Sequence, residues 1–178
     1  MSEPMSESTP STEKIVCDQL GDWQRTCHCA ALTGENVGQE ATLMGWVGRR
    51  RDHGGVIFVD LRDRYGITQV VFNPQHNPEA HRKAEVLRNE FVIAIRGKVE
   101  QRPDGMVNSK LQTGAIEVNA FDLRIFNDSP PPPLQVDDEI EVGEETRLRH
   151  RYMDLRRPRM QRNLLMRHQA AQQVRQFL

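Results

Sequence analysis

Three consecutive arginines, Arg49, Arg50 and Arg51, precede a stretch in which Ile57, Val59 and Leu61 alternate with Phe58, Asp60 and Arg62. Strict alternation is the signature of a half-buried strand, with the aliphatic set facing a core. It leaves Phe58 on the charged face. A ring there could stack on an unpaired nucleobase while neighbouring arginines hold the phosphate backbone; it could equally pack under a loop or against a neighbouring subunit. Gln69 and Glu117 interrupt otherwise apolar strands. Either could simply face water, yet an amide donates and accepts and a carboxylate accepts, so both can read base edges. Arg102 and Asn108, in "QRPDGMVNSKLQTG", could extend that surface or solvate it.

Other chemistries find less support. Cys27-His28-Cys29 is tighter than usual zinc spacings, no second pair follows, and three cysteines do not make a disulfide framework. No metal site is therefore expected. The six histidines are scattered, and neither a GxSxG elbow nor a P-loop occurs, so no catalytic residue is assigned. Charges crowd "EETRLRHRYMDLRRP", where an interdomain salt-bridge network explains them better than a catalytic carboxylate pair.

The elements that would position these side chains follow from periodicity and turn residues. Residues 41–49, 55–63 and 66–73 read as three strands, the first two joined by a basic loop with Gly54-Gly55. Residues 77–89 carry a proline near their start and helix formers after it; 91–102 and 114–126 return to strand composition. Three strands, a helix and two strands is the order of the OB-fold, an all-β five-stranded Greek-key barrel with one helix between strands 3 and 4. A disordered extension is expected over 1–22, the barrel over 23–128 and a Pro/acidic linker and hinge over 129–158. Over 159–178 an amphipathic pattern at Leu164, Leu165, Ala171, Val174, Phe177 and Leu178 predicts a helix that opens a further, truncated domain.

With 178 residues and a formal net charge of -1, the chain has no global pull toward nucleic acid or membrane, so the argument rests on local charge. Of 24 basic residues 20 are Arg, a forked donor suited to phosphate and base edges, though GC-rich coding would produce the same bias. No stretch approaches the apolar length of a membrane span and the start lacks a signal peptide's regions, so a cytoplasmic location is expected.

Three blocks carry a family resemblance: "GWVGRRRDHGGVIFVDLRDRYGITQVVFNP", "VLRNEFVIAIRGKVEQRPDGMVNSKLQTGAIEV" and "EETRLRHRYMDLRRPRMQRNLLMRH". Together, over about residues 23–178, they resemble the N-terminal part of bacterial aspartyl-tRNA synthetases. The resemblance implies that the barrel binds the anticodon loop of tRNA(Asp), with the family's contact positions falling on Arg51, Phe58, Gln69, Arg102 and Glu117. It makes Phe58 the platform for an anticodon base. It also implies a hinge over about 144–158 and, after it, the opening helix of a class II α/β catalytic domain whose ATP, aspartate and magnesium motifs do not occur in these residues. The full-length enzyme would use ATP and Mg, form a homodimer and attach aspartate to tRNA(Asp); the chain alone is expected to be inactive. His53 and Met106 would lie near the third anticodon base, where aspartate and asparagine anticodons differ. A neutral imidazole carries one donor and one acceptor nitrogen, so His53 could tolerate either base, extending recognition to tRNA(Asn); Met106 offers no strong hydrogen bond to enforce a choice. Against these expectations stands a histidine that merely solvates its loop. The extension before Trp23, and Ala30 where the family has glycine, depart from the pattern. A free-standing, non-catalytic OB-fold nucleic-acid-binding module is the alternative, and a structural interaction domain a third class.

Overall fold

The computed structural model describes residues 15–103 and 105–178, which fall into two compact units, one ending at Ser129 and the other spanning Pro130–Leu178. The first is a closed five-stranded barrel of β1 (Glu40–His53), β2 (Val56–Arg62), β3 (Ile67–Phe72), β4 (Val92–Gln101) and β5 (Ile116–Asn127), in the cyclic order β1-β2-β3-β5-β4. Closure relies on β1, which pairs with β4 over Glu40–Trp46 and with β2 over Trp46–His53, and on a short parallel contact of β3 with β5. Closing the sheet removes its edges, so the ladders satisfy the strands' backbone groups without inviting another chain to pair. The alternating inward set supplies the core: Leu43, Val47, Ile57, Val59, Leu61, Val70, Phe72, Ile93, Ile95, Val99, Ile116 and Val118 are almost fully buried. Burying each such side chain stabilises the barrel by roughly 1.5–3 kcal/mol before entropy is charged against it.

Helix α1 (Pro78–Ala84) lies between β3 and β4 as expected, but ends five residues earlier than the pattern through Asn89 suggests. Asn77 caps it by accepting from Ala80 N–H at 2.8 Å, and Pro78 takes the first helical position. The chain must then turn back into β4: Leu87 and Phe91 are buried, and Glu90 takes a left-handed φ of 68° that lets its N–H reach Val47 O at 2.7 Å. A tertiary bond thus overrides local helix preference.

The expectation of disorder through residue 22 fails for 15–22. Asp18 N–H donates to Ile125 O at 2.7 Å, and its carboxylate accepts from Ile125 N–H at 2.7 Å and pairs with Lys83 at 2.6 Å. Arg124 donates to the Gln19 and Leu20 carbonyls, and Trp23 is buried between the guanidinium groups of Arg96 and Arg124, each 4.4 Å from its ring centre. Backbone pairing and two cation–π contacts hold a segment that composition alone marks as solvated. Residues 1–14 of that expectation lie outside the described residues.

At one end of the barrel Asp63 ties the N-terminal turn to the β2–β3 connection. It is buried and accepts from Cys29 N–H at 2.9 Å, Tyr65 N–H at 2.8 Å and Gly66 N–H at 3.0 Å, with His28 Nδ1 at 3.2 Å. Gly66 makes room for Ala30, because a Cβ at residue 66 would stand 2.7 Å from that of Ala30.

The second unit carries α2 (Glu144–Arg149), α3 (Arg151–Asp154) and α4 (Pro158–Phe177). Three arginines of "EETRLRHRYMDLRRP" converge on buried Asp154, which accepts from Arg147 Nε at 3.0 Å and from Arg151 Nη1, with Arg157 at 3.8 Å. Arg157 also donates to Ile140 O at 2.8 Å and faces Asp138. Asp138, Ile140, Asp154 and the arginines that meet them all belong to this unit. Helix α4 forms as the apolar spacing predicts, and Leu164, Leu165, Met166, Val174 and Phe177 on it are exposed.

Burial pushes the Asp63 carboxyl upward, but the four donors outweigh it and hold it below its ordinary value of 3.8. A depressed folded-state value means that its contribution is present above about pH 4 and is lost as pH falls through the folded value. Asp63→Ala, which strands the buried Cys29 N–H, should therefore lower urea-unfolding stability by about 1–3 kcal/mol at pH 7. The gap from wild type should narrow on acidification; a gap that persists undiminished at low pH would assign the loss to packing instead.

Candidate nucleic-acid interface

A register shift in β1 places the basic residues. Val47 pairs with Leu61, but Arg49, not Gly48, pairs with Asp60 and Arg51 with Phe58. The extra residue is a β-bulge, which reverses the alternation beyond it. Val47 faces the core, while Arg49 and Arg51 turn to the outer face that carries Phe58 and Asp60. Arg50 takes the opposite side and its Nε reaches Ala84 O at 3.4 Å. The arginine triplet is thus divided by function before any ligand is considered.

β1 continues to His53, beyond the end at 49 expected from sequence, and Gly54-Gly55 closes it onto β2 in two residues with φ of 60° and 80°. Both values are left-handed, the requirement of a tight hairpin turn whose twist matches its strands, and glycine meets it without strain. The basic loop of the sequence reading is therefore ladder, and exposed His53 is paired in register with Val56 at a tight hairpin tip.

The outer face carries a connected polar row. Arg51 Nη2 donates to Asp60 Oδ1 at 2.8 Å and to Gln69 Oε1 at 3.3 Å, and Gln69 Nε2 donates to Glu117 Oε2 at 2.9 Å. Gln69 is 8% exposed and Arg102 6%, low values for polar side chains on the side away from the core. Arg102 Nε donates to Ile116 O at 3.0 Å, while its Nη2 is buried with no hydrogen-bond partner among the described residues. Burial pulls the Arg102 guanidinium below its ordinary value against the attraction of Glu117 and Asp60. Burial likewise raises Glu117 above 4.5, only partly opposed by the Gln69 hydrogen bond and the charge of Arg102. A buried unpaired donor beside a desolvated acceptor costs stability in the free barrel and leaves hydrogen-bonding capacity for a ligand.

Phe58 is half-buried in the ladder between Arg51 on β1 and Val71 on β3, and among the described residues no aromatic ring stacks on it. The structure thus gathers Arg51, Phe58, Gln69, Arg102 and Glu117 on one face. Met106 stands apart, 69% exposed, in a turn closed by its N–H to Pro103 O at 3.0 Å. Asn108 builds the same connection, its carboxamide accepting from Lys110 N–H and its N–H donating to Gly114 O. Asp60, which the alternation puts on the charged face with Phe58, was not among the site residues expected from the sequence. Among the described residues no cluster of three His, Cys, Asp or Glu is arranged to hold a metal ion, and no helix is long and apolar enough to cross a membrane.

Comparison with known proteins agrees with this geometry. The family described as OB-fold nucleic acid binding domain matches residues 41–126, and class II tRNA synthetases (D, K and N) match residues 143–178. An aspartate–tRNA(Asp/Asn) ligase of Desulfatibacillum aliphaticivorans is 56% identical over 163 residues, and one of Desulfosudis oleivorans 59% over 163 residues; each alignment takes in 92% of this chain. The chain spans 27% of the length of either relative. Among solved structures, asparaginyl-tRNA synthetase from Pyrococcus horikoshii is 26% identical with a TM-score of 0.62, covering 74% of this chain and 30% of that one. The OBody AM2EP06 bound to hen egg-white lysozyme, 25% identical, matches with a TM-score of 0.52 over 60% of this chain and 96% of that one. The two family matches in series along the chain, with relatives identical at more than half of the aligned positions, make it similar to the N-terminal, OB-fold part of aspartyl-tRNA synthetases.

Proposed function

We propose that the outer face of the barrel binds the anticodon loop of tRNA(Asp), and that the whole enzyme attaches L-aspartate to that tRNA in the cytoplasm, as a homodimer, using ATP and Mg. The observation that carries the reading is Phe58, a ring on a polar face, set beside Arg51 and the row that runs through Gln69 to Glu117. A base stacked on Phe58 would bring its edge to those polar groups while Arg51 stays within reach of base or phosphate. The free module without catalysis is disfavoured by the class II match over residues 143–178. The carboxylates here do not fit an ATP–metal site, since Asp154 is committed to arginines and Glu117 to Gln69. No step of the ligase reaction is assigned to these 178 residues.

Phe58→Ala should weaken binding of an aspartate anticodon stem-loop by about 1–3 kcal/mol, the usual loss of one stacked base, measured by fluorescence anisotropy. Unchanged affinity in a variant with a native circular dichroism spectrum would remove Phe58 from the interface.

Glu117 permits a test in the free protein and another with RNA. Its raised value means that the stability it contributes is present below its unfolded value and is lost as pH rises through the folded one. Glu117→Gln, which keeps an oxygen acceptor for Gln69, should unfold at higher urea than wild type at pH 7, and the two should converge near pH 4. With RNA, the same variant should lose up to about 1–3 kcal/mol of base discrimination, because an amide is no longer an acceptor alone. Equal urea midpoints at pH 7 would refute the desolvation argument.

We extend the reading to tRNA(Asn), whose anticodon differs at the third base, with His53 and Met106 as the residues near it. Stem-loops that differ only in cytosine or uracil there should bind within tenfold of each other, about 1.4 kcal/mol. His53→Leu, which removes both ring nitrogens, should weaken both. A wild-type preference of tenfold or more for cytosine would restrict the enzyme to tRNA(Asp).

A further inference from the structure

The anticodon reading leaves one member of the polar row without a role. Asp60 lies on β2 with Arg49 opposite it on β1 and Gln69 opposite it on β3, and its side chain is 22% exposed. It is bonded at 2.8 Å to the same Arg51 nitrogen that reaches Gln69 at 3.3 Å. A terminal guanidinium nitrogen has two hydrogens, so these acceptors consume the whole of Nη2 and leave Nη1 and Nε for a ligand. Further along, Gln69 is orientated by charge. Its carbonyl oxygen meets Arg51 and its NH2 meets Glu117; the flipped amide would set NH2 against a cation and oxygen against a carboxylate.

We propose that Asp60 is the positioning residue of this interface: by holding Arg51 it fixes, through Gln69 and Glu117, the donor–acceptor pattern that four strands present to an anticodon base. The inference rests on the nucleic-acid reading of the face. Without Asp60, Arg51 is held by one long bond to Gln69, and once the guanidinium swings away the Gln69 oxygen loses its donor. Glu117 alone then holds the Gln69 amide, whose oxygen has no donor, and the Arg51 donors no longer keep a fixed place, so the pattern offered to a base becomes mixed. Removing the carboxylate also leaves Arg51 without its ion-pair partner on the face that carries Arg49. Loss of Asp60 should therefore blur selectivity while strengthening general attraction to RNA, a combination that simple structural damage would not produce.

Anisotropy with two stem-loops tests this: one carries the aspartate anticodon and the other has all three anticodon bases replaced. Asp60→Ala should cut the ratio of the two affinities at least tenfold, with affinity for the replaced loop unchanged or higher. Asp60→Asn keeps an oxygen acceptor for Arg51 and should retain the ratio within about threefold despite losing the charge. In a double-mutant cycle, adding Asp60→Ala to Arg51→Ala should change the ratio no further, since Asp60 acts through Arg51. Asp60→Val, which suits a strand, takes the place of the alanine variant should that one fail to fold. The proposal is overturned if Asp60→Ala keeps the ratio within threefold, if Asp60→Asn loses as much as Asp60→Ala, or if the two mutations act additively. A wild type that binds the two loops equally would instead defeat the anticodon reading itself and this inference with it.

Discussion

The displacement of one residue in β1, between Val47 and Arg49, decides which side of the barrel each arginine serves. Period-2 alternation carried straight on from Val47 would aim Arg49 and Arg51 at the core, where an unpaired guanidinium costs far more than any local contact repays. The bulge resolves this by a local change of register. It keeps Leu43 and Val47 in the core, sends Arg49 and Arg51 outward and leaves Arg50 to reach the end of α1. Because Asp60, Gln69 and Glu117 lie on stretches of β2, β3 and β5 paired without a register shift, the shift brings β1 into phase with a polar row already formed across those strands.

That row is maintained against the barrel's own stability. Burial opposes the charge on both Arg102 and Glu117, and Arg102 keeps one nitrogen unpaired. A barrel selected only for folding would place aliphatic or well-solvated side chains there. Asp63 shows what a purely structural carboxylate looks like: it is also buried, but its oxygens are saturated by donors and its charge is favoured. Asp154 in the second unit follows the same pattern, with the Arg147 hydrogen bond and the charges of Arg151 and Arg157 outweighing burial. Asp63 and Asp154 organise backbone and hinge. Glu117, disfavoured in its charged form, is the one that stands on the candidate site.

Strand existence and order were readable because aliphatic alternation dominates β2, β3, β4 and β5, and the turns between them carry glycine, proline or asparagine. The end of β1 was not, because its last residues, Arg49–His53, look like a loop by composition, and only the pairing with β2 makes them strand. Residues 15–22 were missed for a related reason: their binding comes from backbone bonds to β5 and from Trp23 held by two arginines distant in sequence. At the site, Phe58 announced itself as an apolar residue out of phase. Asp60 did not, since an acidic residue on an outward face is ordinary, and its role emerges only from the Arg51 nitrogen that it shares with Gln69.

The hairpin tip alters the argument about the third base. A mobile loop could accept two bases by rearranging, but His53 is paired with Val56 and the two glycines close the turn with no residue to spare. Moving the imidazole backbone would mean breaking the ladder that also sets Arg51. The proposed tolerance of cytosine and uracil would then arise in the side chain itself, from rotation of the ring or exchange of the proton between its nitrogens, while the backbone stays in register. On the proposed reading recognition would be divided: the polar row would read through side chains held by one another, and the tip would tolerate variation through a side chain that the fold leaves exposed.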